Sequence, residues 1–437
     1  MNALGASILC VLIAVVLLGP RRWALLGMMA GVLYLTQGEE IQVFGLHLFA
    51  MRFLEMAGFI RVMARREFSF SSLNEIDRAF LWLYCFTTVV FLLRSTEGQA
   101  YQIGMAVDAI LCYFTFRGLI QNIEDFKWFL SAFVILLSPY FLLVLMQAFT
   151  ARNPFAIVGG PQGFMFRHGR PRCMGSFRHP DLFGSLGATF LPLFIGYALA
   201  GTKRFRALLG MVFCLGIVLL ANSGGPVAAA AFGLAGWLFW RFRTKMSLVR
   251  RSIVGSIALL AVVMKAPIWY LPAKISSITG GGGWHRSYLM DIAFKNLSKW
   301  WLAGMPIAMT KNWFPYRLRV TGGADITNQY ISFGLSAGIG SMFLLIFLLI
   351  RSFQGLGKTL SVVRLHFPET SQSEYLLWGL GVMLSVHIVN WINVSYFDQF
   401  YVIWFMQLAV ISSVTNGANI AVETNQSRAQ RMELQTQ

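Results

Sequence analysis

Apolar positions in this chain come in long unbroken blocks, such as "NALGASILCVLIAVVLLGP" and "SMFLLIFLLI". Neither the strict alternation of a half-buried strand nor the one-sided stripe of a surface helix dominates. Blocks of about 20 apolar residues match the thickness of a hydrocarbon core when wound as helices, which satisfy their own backbone hydrogen bonds where lipid cannot. The pattern predicts spans near 3–19, 23–36, 42–63, 78–94, 101–119, 128–149, 181–200, 206–221, 225–240, 252–267, 329–350, 375–393 and 397–414. The expected fold class is therefore all-α, a polytopic transmembrane helix bundle of about 12–13 spans with a large, partly helical outer loop. Arg52 and Glu55 fall inside the third segment at a spacing that pairs side chains across one helical turn.

The polar intervals set the expected orientation. Lys203, Arg204 and Arg206 lie between two spans. Arg241, Arg243, Lys245, Arg250 and Arg251 follow two spans later, and Arg351, Lys358 and Arg364 two spans after that. Basic residues in short loops mark the cytoplasmic side, so all three clusters are placed there, with 351–374 lying along the inner surface. The chain then divides into N-terminal helices 1–149, a first long outer loop 150–180, central helices 181–266, a large outer loop 267–328, C-terminal helices 329–414 and a polar cytoplasmic tail 415–437. The helices that flank "ANSGG" are expected to form a tight outer hairpin.

Composition agrees with this placement. Hydrophobic residues make up 57% of the chain and charged ones 12%, half the roughly 25% of soluble proteins. The net charge of +18 is read as the membrane bias of basic loops and not as a nucleic-acid footprint. Of five cysteines, Cys10, Cys85, Cys112 and Cys214 fall in apolar spans and Cys173 stands alone in a loop, so neither a disulfide framework nor a metal spacing is present. The first span lacks a preceding basic region, and no cleavable signal is expected.

The two long outer loops break the charge rule. The first carries Arg152, Arg167, Arg170, Arg172 and Arg178 and no acidic residue. The second carries Lys274, Arg286, Lys295, Lys299, Lys311, Arg317 and Arg319 against Asp291 and Asp325. Arginine forks hold phosphate oxygens bidentately, so a binding site for an anionic substrate at the membrane surface is the functional reading; contact with lipid phosphates is the plainer one. In the second loop, "GGGGWHRSYLMDIAFKNLSKWW" predicts a helix from Trp284 with Tyr288, Leu289, Ile292, Leu297 and Trp301 on one face. His285 and Arg286 open that helix at its positive end.

Three stretches resemble the O-antigen ligase and O-antigen polymerase family of bacterial envelope proteins. They are "RPRCMGSFRHPDLFGSLGATFLPLF", "WHRSYLMDIAFKNLSKWWLAGMP" and "DITNQYISFGLSAGIGSMFLLIFLLI". The chain departs from the family pattern where Thr327-Asn328 replaces His-Asn and where Ser223-Gly224-Gly225 replaces Ser-Arg-Gly. The resemblance implies a bacterial cytoplasmic (inner) membrane protein that transfers or polymerises glycans from an undecaprenyl-diphosphate carrier onto an acceptor hydroxyl. It further implies metal-independent glycosyl transfer without cofactors, in partnership with membrane lipids, an acceptor glycan or lipid, and other polysaccharide assembly proteins.

On that reading Arg172 and Arg286 are expected to clamp the diphosphate, with Arg178 and Arg170 as substitutes. His179, His285 and Asp325 are the candidate bases, with His168 a weaker one, and Asn328 and Tyr330 the candidate sugar contacts. The competing functions are a polysaccharide transporter or flippase, for which Arg52, Glu55, Asp108 and His387 would be the intramembrane polar groups, and a non-catalytic partner of an assembly complex.

Overall fold

A computed structural model describes residues 1–43, 46–163, 165–167, 169–201, 203–279, 282–314, 322–366 and 372–416. With one exception in the segment 42–63, the apolar blocks form helix over most of their length. In chain order these are α1 (Ala3–Leu18), α2 (Arg21–Tyr34), α3 (Ala50–Ala64), α4 (Glu75–Arg94), α5 (Gln99–Leu119), α6 (Ile123–Thr150), α7 (Pro180–Leu199), α8 (Arg204–Leu220), α9 (Gly224–Leu238) and α10 (Met246–Val263). The second long loop holds α11 (Leu271–Thr279), α12 (Gly283–Lys295) and α13 (Leu297–Trp300), and α14 (Gln329–His366), α15 (Gln372–Asn390) and α16 (Phe400–Asn416) complete the bundle. The protein is a multi-pass membrane protein: five helical stretches, Glu75–Arg94, Ile123–Thr150, Pro180–Leu199, Gly224–Val263 (α9 through α10) and Gln329–Leu365, are each long and apolar enough to cross a membrane.

The termini of these helices carry the expected signals. Asn74 caps α4 by accepting from the Ile76 and Asp77 amides, and Asp77 returns the bond to the Asn74 amide at 3.0 Å. Asn122 caps α6, whose first turn carries Glu124 and Asp125 against the positive helix end. The core is built from the buried faces of α2, α6, α7, α15 and α16, with α7 sheathed along nearly its whole length.

Two ends are distinct. Arg21 and Arg22 both bind Asp125, and Arg243 and Arg364 both bind Glu374, so the short basic intervals gather at one end. Both long loops lie at the other. The α1 N-terminus joins them there, since Asn2 Nδ2 donates to the Ile157 carbonyl at 2.7 Å. α10 leaves the basic end beside Arg243, has no buried residue among those described, and returns the chain to the loop end on the outside of the bundle. Its 18 residues make about 27 Å of helix, close to one hydrocarbon core.

Three expectations need correction. The segment 42–63 starts as an antiparallel hairpin, β1 (Glu40–Val43) with β2 (Leu46–Phe49), and turns helical only at Ala50. Arg52 does not pair with Glu55: it forks onto Asp108 of α5, with both bonds at 2.6 Å. The stretch 351–366 continues α14 as one helix instead of starting a separate surface piece. After the break at Ala337 and Gly338 the helix runs through residues 339–366, about 42 Å, so it projects beyond the hydrocarbon at the basic end.

The loop end has a second small core. Leu289, Ala293, Trp300, Met305, Trp313, Phe314, Ala324 and Ile326 pack on Ile331 and Leu335 of α14. The expected α12 face is present in Leu289, with Tyr288, Ile292 and Leu297 at its edge, while Trp301 is 52% exposed. Two glycines lock this unit to α14. Gly338 has φ +76 at a break in the helix, and a Cβ there would lie 2.4 Å from the Leu302 carbonyl oxygen. Gly304 has φ +74, and its Cβ would lie 2.2 Å from the Leu335 carbonyl oxygen. The close approach permits Met305 N–H to reach Leu335 O at 2.9 Å and Ile339 N–H to reach Trp301 O at 2.8 Å.

Candidate functional site

The first long loop turns on a short hairpin, β3 (Met165–Arg167) with β4 (Arg170–Arg172), in which Met165 faces Arg172 and Arg167 faces Arg170. Alternation along the strands places Arg167, Arg170 and Arg172 on one face. The hairpin is pinned to the α8–α9 turn: Asn222 Nδ2 donates to the Arg167 carbonyl at 3.1 Å and Cys173 N–H to the Leu220 carbonyl at 3.0 Å. α7 follows after His179, its N-cap, with Pro180 in the first position that tolerates a missing amide.

Asp181, in the first turn of α7, organises the site. Its carboxylate accepts from Arg172 Nη2 at 2.8 Å and, through a very short contact, from the hydroxyl of Ser223. The Arg172 Nε is buried with no protein partner among the described residues. Arg286 arrives from the opposite direction, out of the first turn of α12. Its Nε donates to the Asn393 carbonyl at 3.2 Å, and its two terminal nitrogens lie beside Gly282 and beside Gly225 at the start of α9. No described residue hydrogen-bonds either terminal nitrogen.

These arginines share one electrostatic neighbourhood. Burial lowers the pKa of Arg286 most, Asp181 and Asp325 oppose that, and Arg167 and Arg172 reinforce it. Burial likewise lowers Arg172, with Asp181 opposing and Arg167 reinforcing. Three cations facing two carboxylates therefore leave the site net positive and part desolvated, and an added anion is favoured there.

Asp325 closes the site from the segment before α14. That segment is held on both sides: the Ala324 amide donates to Thr310 Oγ1 at 2.8 Å, and Ser395 Oγ to the Ile326 carbonyl at 2.7 Å. Burial raises the Asp325 pKa above the ordinary carboxylate value, His285 and His179 work against the rise, and Asp181 adds to it. No described side chain hydrogen-bonds its carboxylate.

The other expected residues divide. His179 stands at the site, but its Nδ1 accepts from the Asp181 amide at 3.2 Å. Burial lowers its pKa first of all. A neutral imidazole that accepts through Nδ1 carries its proton on Nε2, so His179 presents a donor there. His285 stacks on Phe314 with centroids 4.3 Å apart, and burial lowers its pKa too. Arg178 is turned away, forked onto Asp398 with its Nε bond at 2.6 Å. Arg170 is exposed at the hairpin edge. Asn328 is buried and caps α14 by accepting from the Ile331 amide at 3.1 Å. Tyr330 points into the bundle, where its hydroxyl donates to the Ile388 carbonyl at 3.1 Å. His168, Arg317 and Arg319 lie outside the described residues.

Sequence reasoning missed four contributors: Arg167, Asp181, Ser223 and the Asn393 carbonyl. Asp181 was visible as the acid after His-Pro at a helix start, and Ser223 as the serine of the departing Ser-Gly-Gly turn; the carbonyl left no signal. Beneath Asp181 a polar thread enters the bundle. Ser185 Oγ donates to the Asp181 carbonyl at 2.6 Å, Asn390 Nδ2 donates to Ser185 Oγ at 2.7 Å, and the Tyr396 hydroxyl lies 3.3 Å from Asn390 Nδ2 and 2.5 Å from His387 Nδ1. His387 is thus bound within its bundle. No group of three His, Cys, Asp or Glu with metal-binding geometry occurs among the described residues. The chain matches no known family profile and no curated protein.

Proposed function

We propose that this protein transfers glycans at the outer face of a bacterial cytoplasmic membrane, from an undecaprenyl-diphosphate carrier to an acceptor hydroxyl, in surface polysaccharide assembly. The observation that carries the proposal is the meeting of two loops over 100 residues apart in sequence: Arg172 shares Asp181 with Ser223, and a terminal nitrogen of Arg286 lies beside Gly225, two residues on, with Asp325 in the same electrostatic neighbourhood. Each arginine is anchored by one nitrogen, to Asp181 or to the Asn393 carbonyl, so its remaining donors are aimed and not free to wander.

When the glycosidic bond breaks, negative charge grows on the departing diphosphate. Donors already fixed at that charge need no reorganisation, and each is worth about 3–4 kcal/mol in the transition state. The acceptor hydroxyl needs a proton acceptor. Asp325 suits that task better than the histidines: its carboxylate is unengaged and its affinity for a proton is raised. It also lies two residues before Thr327, where the resembled family has His, and so supplies a base in the same segment. His179 Nε2–H is left to donate to a substrate oxygen.

Polymerase and ligase differ only in the acceptor, and both fit this site. The test is transfer by the purified protein in liposomes from a lipid-diphosphate glycan. Transfer that needs Arg286 and Asp325 supports the reading. Carrier translocation without transfer would replace it with the flippase reading, and neither activity with the non-catalytic partner.

A further inference from the structure

At the basic end, far from the arginine pocket, two adjoining grooves open where α2, α6 and the α7–α8 turn meet. One, of about 230 Å³, is walled by Trp23, Leu26, Trp128 and Ile135 and closed by Lys203 and Arg206. The other, of about 240 Å³, shares Trp128 and Lys203 with it and adds Arg22, Lys127, Glu124 and Tyr197. The first groove is almost wholly apolar below its cationic rim, and Trp23 and Ile135, 57% and 60% exposed, face the lipid.

The charges of the rim do not cancel. Glu124 is bound by Lys127 at 2.6 Å, and Asp125 by Arg21 and Arg22. Arg206 Nη1 donates to Ser131 Oγ at 2.8 Å, which orients the guanidinium over the groove without neutralising it. Among the described residues no carboxylate pairs with Lys203 or Arg206. Both cations stand at the N-terminal end of α8, which has no side-chain cap. Cations there are opposed by the helix dipole, so an anion beside them is favoured.

We infer that these grooves bind one acidic phospholipid of the leaflet at the basic end, its phosphate between Lys203 and Arg206 and an acyl chain along Trp23, Leu26 and Ile135. An apolar trough opening sideways into the hydrocarbon, under a cationic rim at the headgroup level marked by two tryptophans, fits a diacyl lipid and gives a free phosphate nothing to do with the trough.

The test uses the full chain, extracted in detergent supplied with equal phosphatidylglycerol and phosphatidylcholine, with retained lipid counted by mass spectrometry. Wild type should hold phosphatidylglycerol in preference by on the order of tenfold. Lys203→Ala with Arg206→Ala should abolish the preference. Ile135→Trp, which fills the trough and leaves every charge in place, should reduce retention of the lipid itself, and it decides alone if the double variant does not fold. Arg250→Ala with Arg251→Ala, on solitary α10, should change nothing. The inference is overturned if wild type shows no preference, if Ile135→Trp retains lipid as wild type does, if the α10 variant loses the preference equally, or if millimolar inorganic phosphate displaces the lipid.

Discussion

Replacing Arg286 by alanine separates a role in the reaction from a role in the fold. The side chain makes one hydrogen bond to protein, Nε to the Asn393 carbonyl at 3.2 Å, and keeps its two terminal nitrogens for something else. Losing a charge-assisted bond costs about 1.5–3 kcal/mol, but removing a cation whose charged form burial disfavours gives part of that back. The net change in stability should stay within about 1 kcal/mol, a small shift in melting temperature. The loss in transfer should be about 3 kcal/mol or more, at least 100-fold, if the terminal nitrogens hold the departing diphosphate. Arg286→Lys keeps a charge but neither the fork nor the Nε anchor, and should recover only about tenfold of that loss. Arg178→Ala is the opposite case. It strands Asp398, whose side chain is 4% exposed, and because Arg178 itself is 55% exposed the cost to stability should be discounted to about 1–3 kcal/mol. Transfer by its folded fraction should stay near wild type, as should that of exposed Lys311→Ala. The assays are initial rates of glycan transfer in liposomes and thermal melts of the same preparations. Wild-type transfer by folded Arg286→Ala would refute the assignment, and so would a loss of rate that merely tracks a loss of folded protein.

Asp325→Asn should lower transfer by about 10²–10⁴-fold. Because the folded pKa is raised, ionising Asp325 costs stability as pH climbs from the ordinary carboxylate value through the folded one, so the stability of the amide relative to wild type should rise as pH is taken from below the ordinary aspartate value of about 3.9 to neutrality; a relative stability that falls over that range would contradict this. The acid limb of the wild-type rate profile should accordingly lie above the ordinary aspartate value of about 3.9. Cysteines placed at Arg152 and Lys311 should react with an impermeant thiol reagent added outside, and one at Arg250 only after permeabilisation; the reverse pattern would overturn the orientation and move the site to the cytoplasm. Transfer should survive chelation of divalent ions, and its complete loss with rescue by one metal would show that arginine is not the cation that matters. Gly338→Ala should cost about 1–2 kcal/mol from the left-handed backbone alone, and more from the 2.4 Å approach to Leu302 O; melting equal to wild type would mean that the break in α14 is not held as described.

The helices were legible because the quantity that decides them, apolar length, is local. The errors came where a partner distant in sequence decides. The run "EIQVFGLHLF" is apolar enough to count toward a span, yet β1 and β2 pair across it and the helix waits for Ala50. Arg52 has Glu55 one turn away, but Asp108 on the neighbouring helix offers both carboxylate oxygens at 2.6 Å, a geometry that no spacing along one helix supplies. The same rule sorts the loop arginines. Arg172 and Arg178 look alike in "RPRCMGSFR", and what parts them is an acid that folding brings up: Asp181 binds Arg172 inside the pocket, while Asp398, 220 residues onward, takes Arg178 out of it. Tyr330 and Asn328 carry hydrogen-bonding groups that suit a sugar, but the bundle uses those groups first, on the Ile388 carbonyl and the Ile331 amide. Buried polar atoms are satisfied before a substrate arrives. The residues that remain candidates are therefore those whose polar atoms folding leaves unmatched, the terminal nitrogens of Arg286, the Nε of Arg172 and the carboxylate of Asp325, and that remainder can be computed only after the partners are known.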